Sequence, residues 1–432
     1  MKRKAPCEQA RRIFRGRSKC CLRHLKGLSH DFNRQWAQEL PDVFLPDLAI
    51  SLANLAEHLA AAHRLEEALG ICQEAVDLRR RLATARPETF SPGLAASLSS
   101  LAALLGHMGR SVEATPLTQE ALELYQRLAV KEPATFQPRI AECFNNLGLH
   151  LGEQGQWQEG YPYFLQARDL LQPLVQENPE LYLPRLATLL GNLGECLGEL
   201  NRWEESCMAG RELVAINRKL AHQRPGTFLP DLADSLHDLG ALLIHLELWE
   251  EAIAVYHEGA RLYRRFSRRK PEWFAERLID CLAGLQEALQ ALGKIQETVP
   301  LLRELTARLP KIVGKRGSRY DEIDLADHLS LLGSAFCEQG NEKSSIASFR
   351  KAIEIYRRRS RRQSGLRPVL AEALHLQGQA LFDFDRPEKA LESLDEALSW
   401  LTPAARKRPD EFSDWLMELQ EDRQRVMKQL QV

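Results

Sequence analysis

Three asparagines and an aspartate recur on one spacing: Asn54, Asn146, Asn192 and Asp238 occupy a single column of a 46-residue grid. A carboxamide carries both a donor and an acceptor, so a row of them can pair with a peptide main chain of any sequence. The same amides could equally satisfy polar groups of a neighbouring helix. The row is also short, since Ser100, Gly284, Leu331 and Leu376 interrupt it.

Chemistry of the covalent kind has no matching constellation. Gly314-Lys315 is followed by Arg316 and has Leu309 where a phosphate loop needs its first glycine. There is no His-Glu-x-x-His, no Gly-x-Ser-x-Gly and no His pair at i, i+4 for a metal. Cys143 and Cys281 recur at one repeat position, with Cys196 and Cys337 further along, and read as buried small hydrophobes. Trp157, Trp203 and Trp249 share a column that suits a hairpin core better than a platform for bases. No catalytic residue, cofactor or metal site is expected, and the chain is not expected to be an enzyme.

The 432 residues exceed one compact domain nearly threefold, and 44% hydrophobic with 27% charged residues excludes a disordered or collagen-like chain. No apolar run reaches the ~20 residues of a bilayer span, and the N-terminus lacks the apolar core of a secretory signal. Nine cysteines without a C-x-x-C form neither a disulfide nor a zinc framework. A soluble chain in a reducing compartment, the cytoplasm, is the expectation. Charge is uneven: eleven basic and three acidic residues give residues 1–40 a charge of +8, which against the total of −1 leaves −9 on the rest. Such a head is a solvated tail, a nuclear or organellar address, or a nucleic-acid attachment. No feature of the sequence sets an oligomeric state.

What positions the asparagine column is an internal repeat. Pro41, Pro87, Pro133, Pro179, Pro225 and Pro271 are each 46 residues apart, and Pro409 falls on the same grid after lapses at Gly317 and Gln363. A second proline follows at Pro46, Pro92, Pro138, Pro184, Pro230 and Pro368, where it suits the first turn of a helix. Within a unit the apolar residues keep helical spacing on either side of a break, as in Phe144, Leu147, Leu151, then Gly155, then Trp157, Phe164, Ala167 and Leu171. The break column holds His63, Gly109, Gly155, Asn201, Glu247, Gly293, Gly340 and Asp385, mostly residues that tolerate the left-handed conformation. Each unit is predicted to be a helical hairpin, helix A then helix B.

The columns resemble the tetratricopeptide repeat. Leu55, Leu101, Leu147, Leu193, Leu239, Leu285 and Leu332 are followed by Ala56, Ala102, Gly148, Gly194, Gly240, Gln286 and Gly333. Helix B carries small residues at Ala68, Ala114, Gly160, Ser206, Ala252, Ser345 and Ala390. The 46-residue period is longer than the family's usual ~34, and the units are similar to those of kinesin light chains and of repeat tails on bacterial and fungal signalling proteins. The resemblance implies an all-α fold, a right-handed superhelical solenoid of antiparallel helix pairs. Residues 41–408 would form eight repeats, 1–40 a basic segment ending in a half-repeat cap over about 22–38, and 409–432 a C-terminal capping helix. Replacing Gly194 is expected to overpack a close helix approach.

In that family helix A lines the concave groove, which places Glu142, Glu153, Glu195, Glu199, Asp234, Asp280 and Glu287 there beside the asparagine column, with no Lys or Arg among those positions. Expected, therefore, is a non-catalytic scaffold that binds a neutral or basic peptide or protein in an acidic groove. One alternative is a sensor segment of a larger signalling assembly. A weaker one is nucleic acid along the arginines that end the B helices: Arg79–Arg81, Arg264–Lys270 and Arg357–Arg362.

Overall fold

The computed structural model describes residue 37 and residues 41–315 and 318–431, with the side chains of 41–43, 271 and 272 excepted. The basic segment 1–36 and most of the expected half-repeat thus lie outside the described residues. Ala37 alone is seen, buried with Leu48, Leu52 and Ala75.

Among the described residues are seventeen α-helices, two short 3-10 turns and no strand. In chain order the helices are α1 (Pro41–Ala61), α2 (Leu65–Ala85), α3 (Pro87–His107), α4 (Ser111–Ala129), α5 (Pro133–Glu153), α6 (Trp157–Glu177), α7 (Pro179–Glu199), α8 (Trp203–Gln223) and α9 (Pro225–His245), then α10 (Trp249–Ser267), α11 (Pro271–Ala291), α12 (Ile295–Arg308), α13 (Glu322–Glu338), α14 (Glu342–Ser360), α15 (Arg367–Asp383), α16 (Pro387–Lys407) and α17 (Pro409–Leu430). They form two compact units that part between Ala209 and Gly210, inside α8.

Every hairpin closes the same way. All eight break-column residues have φ between 57° and 78°, including the non-glycines His63, Asn201, Glu247 and Asp385. At the second hairpin Arg110 N–H donates to Leu105 O at 2.9 Å and Gly109 N–H to Gly106 O at 2.8 Å, which satisfies two of the carbonyls a helix end leaves orphaned. The same pair of bonds recurs seven more times, from Arg64 to Leu59 through Arg386 to Leu381.

The joint between one pair and the next is a single residue before Pro87, Pro179, Pro225 and Pro409, and three residues before Pro133 and Pro271. Proline pushes the residue before it out of the α region, and Arg86, Glu132, Asn178, Arg224, Lys270 and Arg408 all lie at φ −134° to −144° and ψ 69° to 84°. The grid proline then occupies the first turn of helix A. This differs from the sequence expectation, which gave that place to the second proline: Pro46, Pro92, Pro138, Pro184 and Pro230 sit inside helix A, one turn further on, and only Pro368, where the grid proline is missing, stands in the first turn as expected. Where the grid proline lapses, the joints are long. In the first, Leu309–Lys311 form a 3-10 turn and Asp321 caps α13, and in the second Ser364–Leu366 form another 3-10 turn.

The small columns are the close approaches. Ala68, Ala114, Ala252 and Ala390 are wholly buried, while Ser206 Oγ donates to Gly194 O and Ser345 Oγ to Gly333 O, each at 2.8 Å. At Gly148, Gly240 and Gly333 an aromatic ring from helix B fills the Cβ position: an added Cβ would stand 2.7 Å from Phe164, 2.6 Å from Tyr256 and 2.8 Å from Phe349. Gly194 is different, because a Cβ there meets only Ser206 Oγ at 3.9 Å, so the overpacking expected at that residue belongs to its counterparts. By length and composition α3 could cross a membrane, yet Leu94, Leu98, Leu101 and Leu105 are buried in an array where α3 packs on α2 and α4.

Candidate functional site: a carboxamide cleft on the A helices

Asn146 and Asn192 are brought together through a residue the column did not contain. Asn192 Nδ2 on α7 donates to Asn145 Oδ1 on α5 at 3.0 Å, and Asn145 Nδ2 donates to Asn146 Oδ1 at 3.3 Å. Asn145 and Asn146 line a cleft of about 260 Å³ with Arg139, Glu142, Arg185 and Thr188, and with Ala141, Leu171 and Leu189, and Asn192 joins it through Asn145. All lie in the first unit. Asn54 is exposed on α1 and is not part of this chain of amides, and Asp238 is exposed on α9 beside His237 Nδ1 at 3.0 Å.

The carboxylates expected in the groove are largely engaged. Glu142 pairs with Arg139 at 3.1 Å. Asp234 accepts from Tyr263 Oη and lies 3.9 Å from Arg277, and Asp280 accepts from Tyr320 Oη and pairs with Arg319. Glu153 accepts from Ser111 Oγ. Exposed Glu195, Glu199 and Glu287 remain at the surface. The face is therefore mixed in charge: Arg139, Arg185 and Arg277 stand one turn before the acids, in a column the sequence reading passed over. A signal for them existed in the 46-residue spacing of Arg139 and Arg185. Tyr263 bonding Asp234 and Tyr356 bonding Asp327 are likewise a repeated pair, each 29 residues apart, and burial raises both phenols well above the usual range.

The groups with reactive potential are quiet. Burial pushes the Cys143 and Cys281 thiols up to about 12 and those of Cys72, Cys196 and Cys337 to about 11, the opposite of an activated nucleophile. Trp157 lies across Gly152 at the hairpin turn, as a structural column should. One group has metal-ligand chemistry: His375, Glu418 and Asp422 offer ligand atoms within 4.8 Å of one another. Its second shell contradicts that use. Trp415 Nε1–H donates to His375 Nδ1 at 3.1 Å, so that nitrogen is unprotonated and Nε2, 2.9 Å from Asp422 Oδ2, carries the proton and has no lone pair for an ion.

The arginine clusters are also partly consumed. Arg79 donates to Gly93 O at 2.5 Å, Arg80 pairs with Glu120, Arg264 with Glu304, and Arg357, Arg358 and Arg359 with Glu396, Glu322 and Asp321.

The tetratricopeptide-repeat family model matches residues 94–132 and 232–265. No curated protein matches the chain. Among solved structures, a signal transduction ATPase with numerous domains and a tetratricopeptide repeat sensor, from Pyrococcus horikoshii, is 13% identical with a TM-score of 0.51; the alignment covers 96% of this chain and 56% of that one. The apo form of RapI is 14% identical with a TM-score of 0.44, over 72% of this chain and 99% of that one. Repeats of a putative kinesin light chain from Podosopora anserina are 21% identical with a TM-score of 0.39, over 50% and 94%. Two segments match the family model and the eight described hairpins close alike, so the chain is an all-α array of helix pairs similar to tetratricopeptide repeats.

Proposed function

We propose that the protein is a non-catalytic interaction module that holds an extended peptide against the A helices of its first unit. The observation that carries this reading is the Asn192–Asn145–Asn146 chain of amides beside an open cleft. Asn145 spends both its groups on its neighbours, while Asn146 keeps its Nδ2 donors and Asn192 its Oδ1 acceptor, enough to donate to and accept from a main chain regardless of side chains. The partner is neutral or weakly basic, because Arg139 offsets Glu142 while Glu195 and Glu199 stay exposed on the same helix series. Exposed charges of this kind are screened, so affinity falls only modestly with salt.

The test is a random-peptide display selection on the full chain, followed by anisotropy titration of a selected peptide. Asn146→Ala and Asn192→Ala should each weaken binding by roughly threefold to tenfold, the worth of about one hydrogen bond. A selection that yields no binder, or binders indifferent to both substitutions, overturns the proposal.

A second reading, a sensor segment of a larger assembly, draws only on fold likeness to a structure of which this chain spans 56%. A nucleotide-binding domain encoded in frame with this chain would favour it, and its absence from the reading frame would remove it.

A further inference from the structure

The B helices of the second unit run parallel and in register. Arg211 with Glu251 at 2.7 Å, Arg218 with Glu258 at 2.6 Å and Arg264 with Glu304 at 2.8 Å each join residues 40 apart on successive B helices, and Arg357 with Glu396, 39 apart, joins α14 to α16. Parallel helices in register present their C-terminal ends along one edge. On that edge the cations outnumber what the ladder uses. Arg265, Arg268, Arg269 and Lys270 at the end of α10, with Arg361 and Arg362 at the end of α14, are exposed and have no ion partner among the described residues.

An aromatic stands among them without a structural task. Trp273 is 73% exposed, the second most exposed of the large hydrophobic side chains. Its column before this repeat holds Val43, Thr89, Thr135, Leu181 and Thr227, so the joint does not need an indole. The joint is closed from behind by Phe266 and Phe274, whose rings lie 5.2 Å apart, with Tyr263 against both. Lys270 Nζ hovers 5.9 Å from the Trp273 ring centroid. A helix C-terminus favours one or two cations, but it gives no reason for four in six residues followed by an exposed indole.

We propose that this edge binds single-stranded nucleic acid, with phosphates on the arginines and an unpaired base on Trp273. Guanidinium forks match phosphate oxygens in pairs. An indole offers a stacking face that any base can use. The cations form a line of helix ends, which suits a linear polyanion, whereas a membrane surface calls for a broad patch. The site lies in the second unit and is independent of the carboxamide cleft in the first.

The test uses the full chain and a fluorescein-labelled 20-mer of oligo(dT) or oligo(U), titrated by anisotropy at several salt concentrations. Trp273→Thr installs the residue that three other repeats carry and should weaken binding about fivefold or more, while Trp273→Phe keeps most of it. Arg268→Gln with Arg269→Gln should lower the slope of log affinity against log salt by about 1.4, at ~0.7 per lost phosphate contact. Circular dichroism of each variant should match the parent, since none of these side chains is buried. No oligonucleotide binding, or binding indifferent to Trp273→Thr with an unchanged salt slope, overturns the proposal. Binding to phosphatidylserine vesicles without binding to the oligonucleotide overturns it in favour of a membrane.

Discussion

Trp415 and His375 are 40 residues apart and share one hydrogen bond, the indole N–H to Nδ1 at 3.1 Å, that fixes which imidazole nitrogen carries a proton. With Nε2–H then directed at Asp422, and Gln379 Nε2 donating to the same oxygen at 2.8 Å, the cluster fastens α17 to α15. Trp415→Phe keeps the ring and removes the donor, and should cost about 1 kcal/mol, the net worth of a part-buried hydrogen bond. Chemical unfolding measures it. Zinc at micromolar concentration should leave the melting temperature of the parent unchanged, and a rise would contradict the tautomer.

Two groups set opposite ends of the acid response. His150 is 3% exposed, its ring nitrogens have no hydrogen-bond partner, and burial holds its pKa below the ordinary 6.5 against the pull of Glu153 at 3.8 Å. The unfolded chain takes that proton first, so stability should fall as pH drops below ~6.5, by up to about 1.4 kcal/mol per unit, until the folded histidine also protonates. Asp422 behaves otherwise: burial pushes it up, but the bonds from Gln379 and His375 outweigh this and leave it below its ordinary 3.8. Its contribution is present above that value and is lost as pH falls through the lowered one. Urea titrations at pH 7, 6 and 5 should show the first effect, and His150→Leu should abolish it. An equal pH slope in that variant would assign the effect elsewhere.

Gly148→Ala and Gly194→Ala should separate cleanly. At Gly148 the new methyl meets the Phe164 ring at 2.7 Å and forces a shift, for which overpacking costs of ~1 to 3 kcal/mol are typical. At Gly194 the nearest atom is 3.9 Å away, and alanine improves helix propensity by ~0.5 to 1 kcal/mol. Hydrogen exchange should place the first loss in α5 and α6, because neighbours alone feel a change in a repeat array.

Glu247 sits at φ 57° where four of its counterparts are glycine. A left-handed L-residue costs roughly 1–2 kcal/mol, part of which glycine returns as unfolded-state entropy. Glu247→Gly should therefore stabilise by about 0.5 to 1 kcal/mol. Asn201→Gly should gain less, since asparagine tolerates this region. Equal gains in a thermal melt would show that φ alone governs the column.

The hairpins were legible because a left-handed turn and a grid proline act on the residue that bears them: His63 through Asp385 and Pro87 through Pro409 carry their own signatures. The cleft was half legible. Asn146 and Asn192 stand in the column, but the bond that joins them runs through Asn145, one residue aside, and depends on how α5 and α7 are rotated against each other. Likewise Tyr256 fills the space over Gly240 and Gly284, which gives a physical reason why the amide row stops at Gly284. Partnerships such as Asp234 with Tyr263 and Asp280 with Arg319 need packing that spacing alone does not encode.

The single-residue joints bear on digestion. Arg86, Arg224 and Arg408 would be trypsin sites, but each is followed by proline, and the joint is one residue long, so neither the bond chemistry nor the local backbone admits the protease. The two joints that lost their proline are the reverse: Lys311, Lys315 and Arg319 lie in one, Arg361 and Arg362 in the other, none followed by proline. Brief trypsin treatment should cut the described part of the chain at these two long joints and at the three-residue joints that hold Lys131 and Arg268–Arg269, and leave the single-residue joints intact. Restoring Pro at position 363, by Gln363→Pro, should slow the second cut and leave the first unchanged.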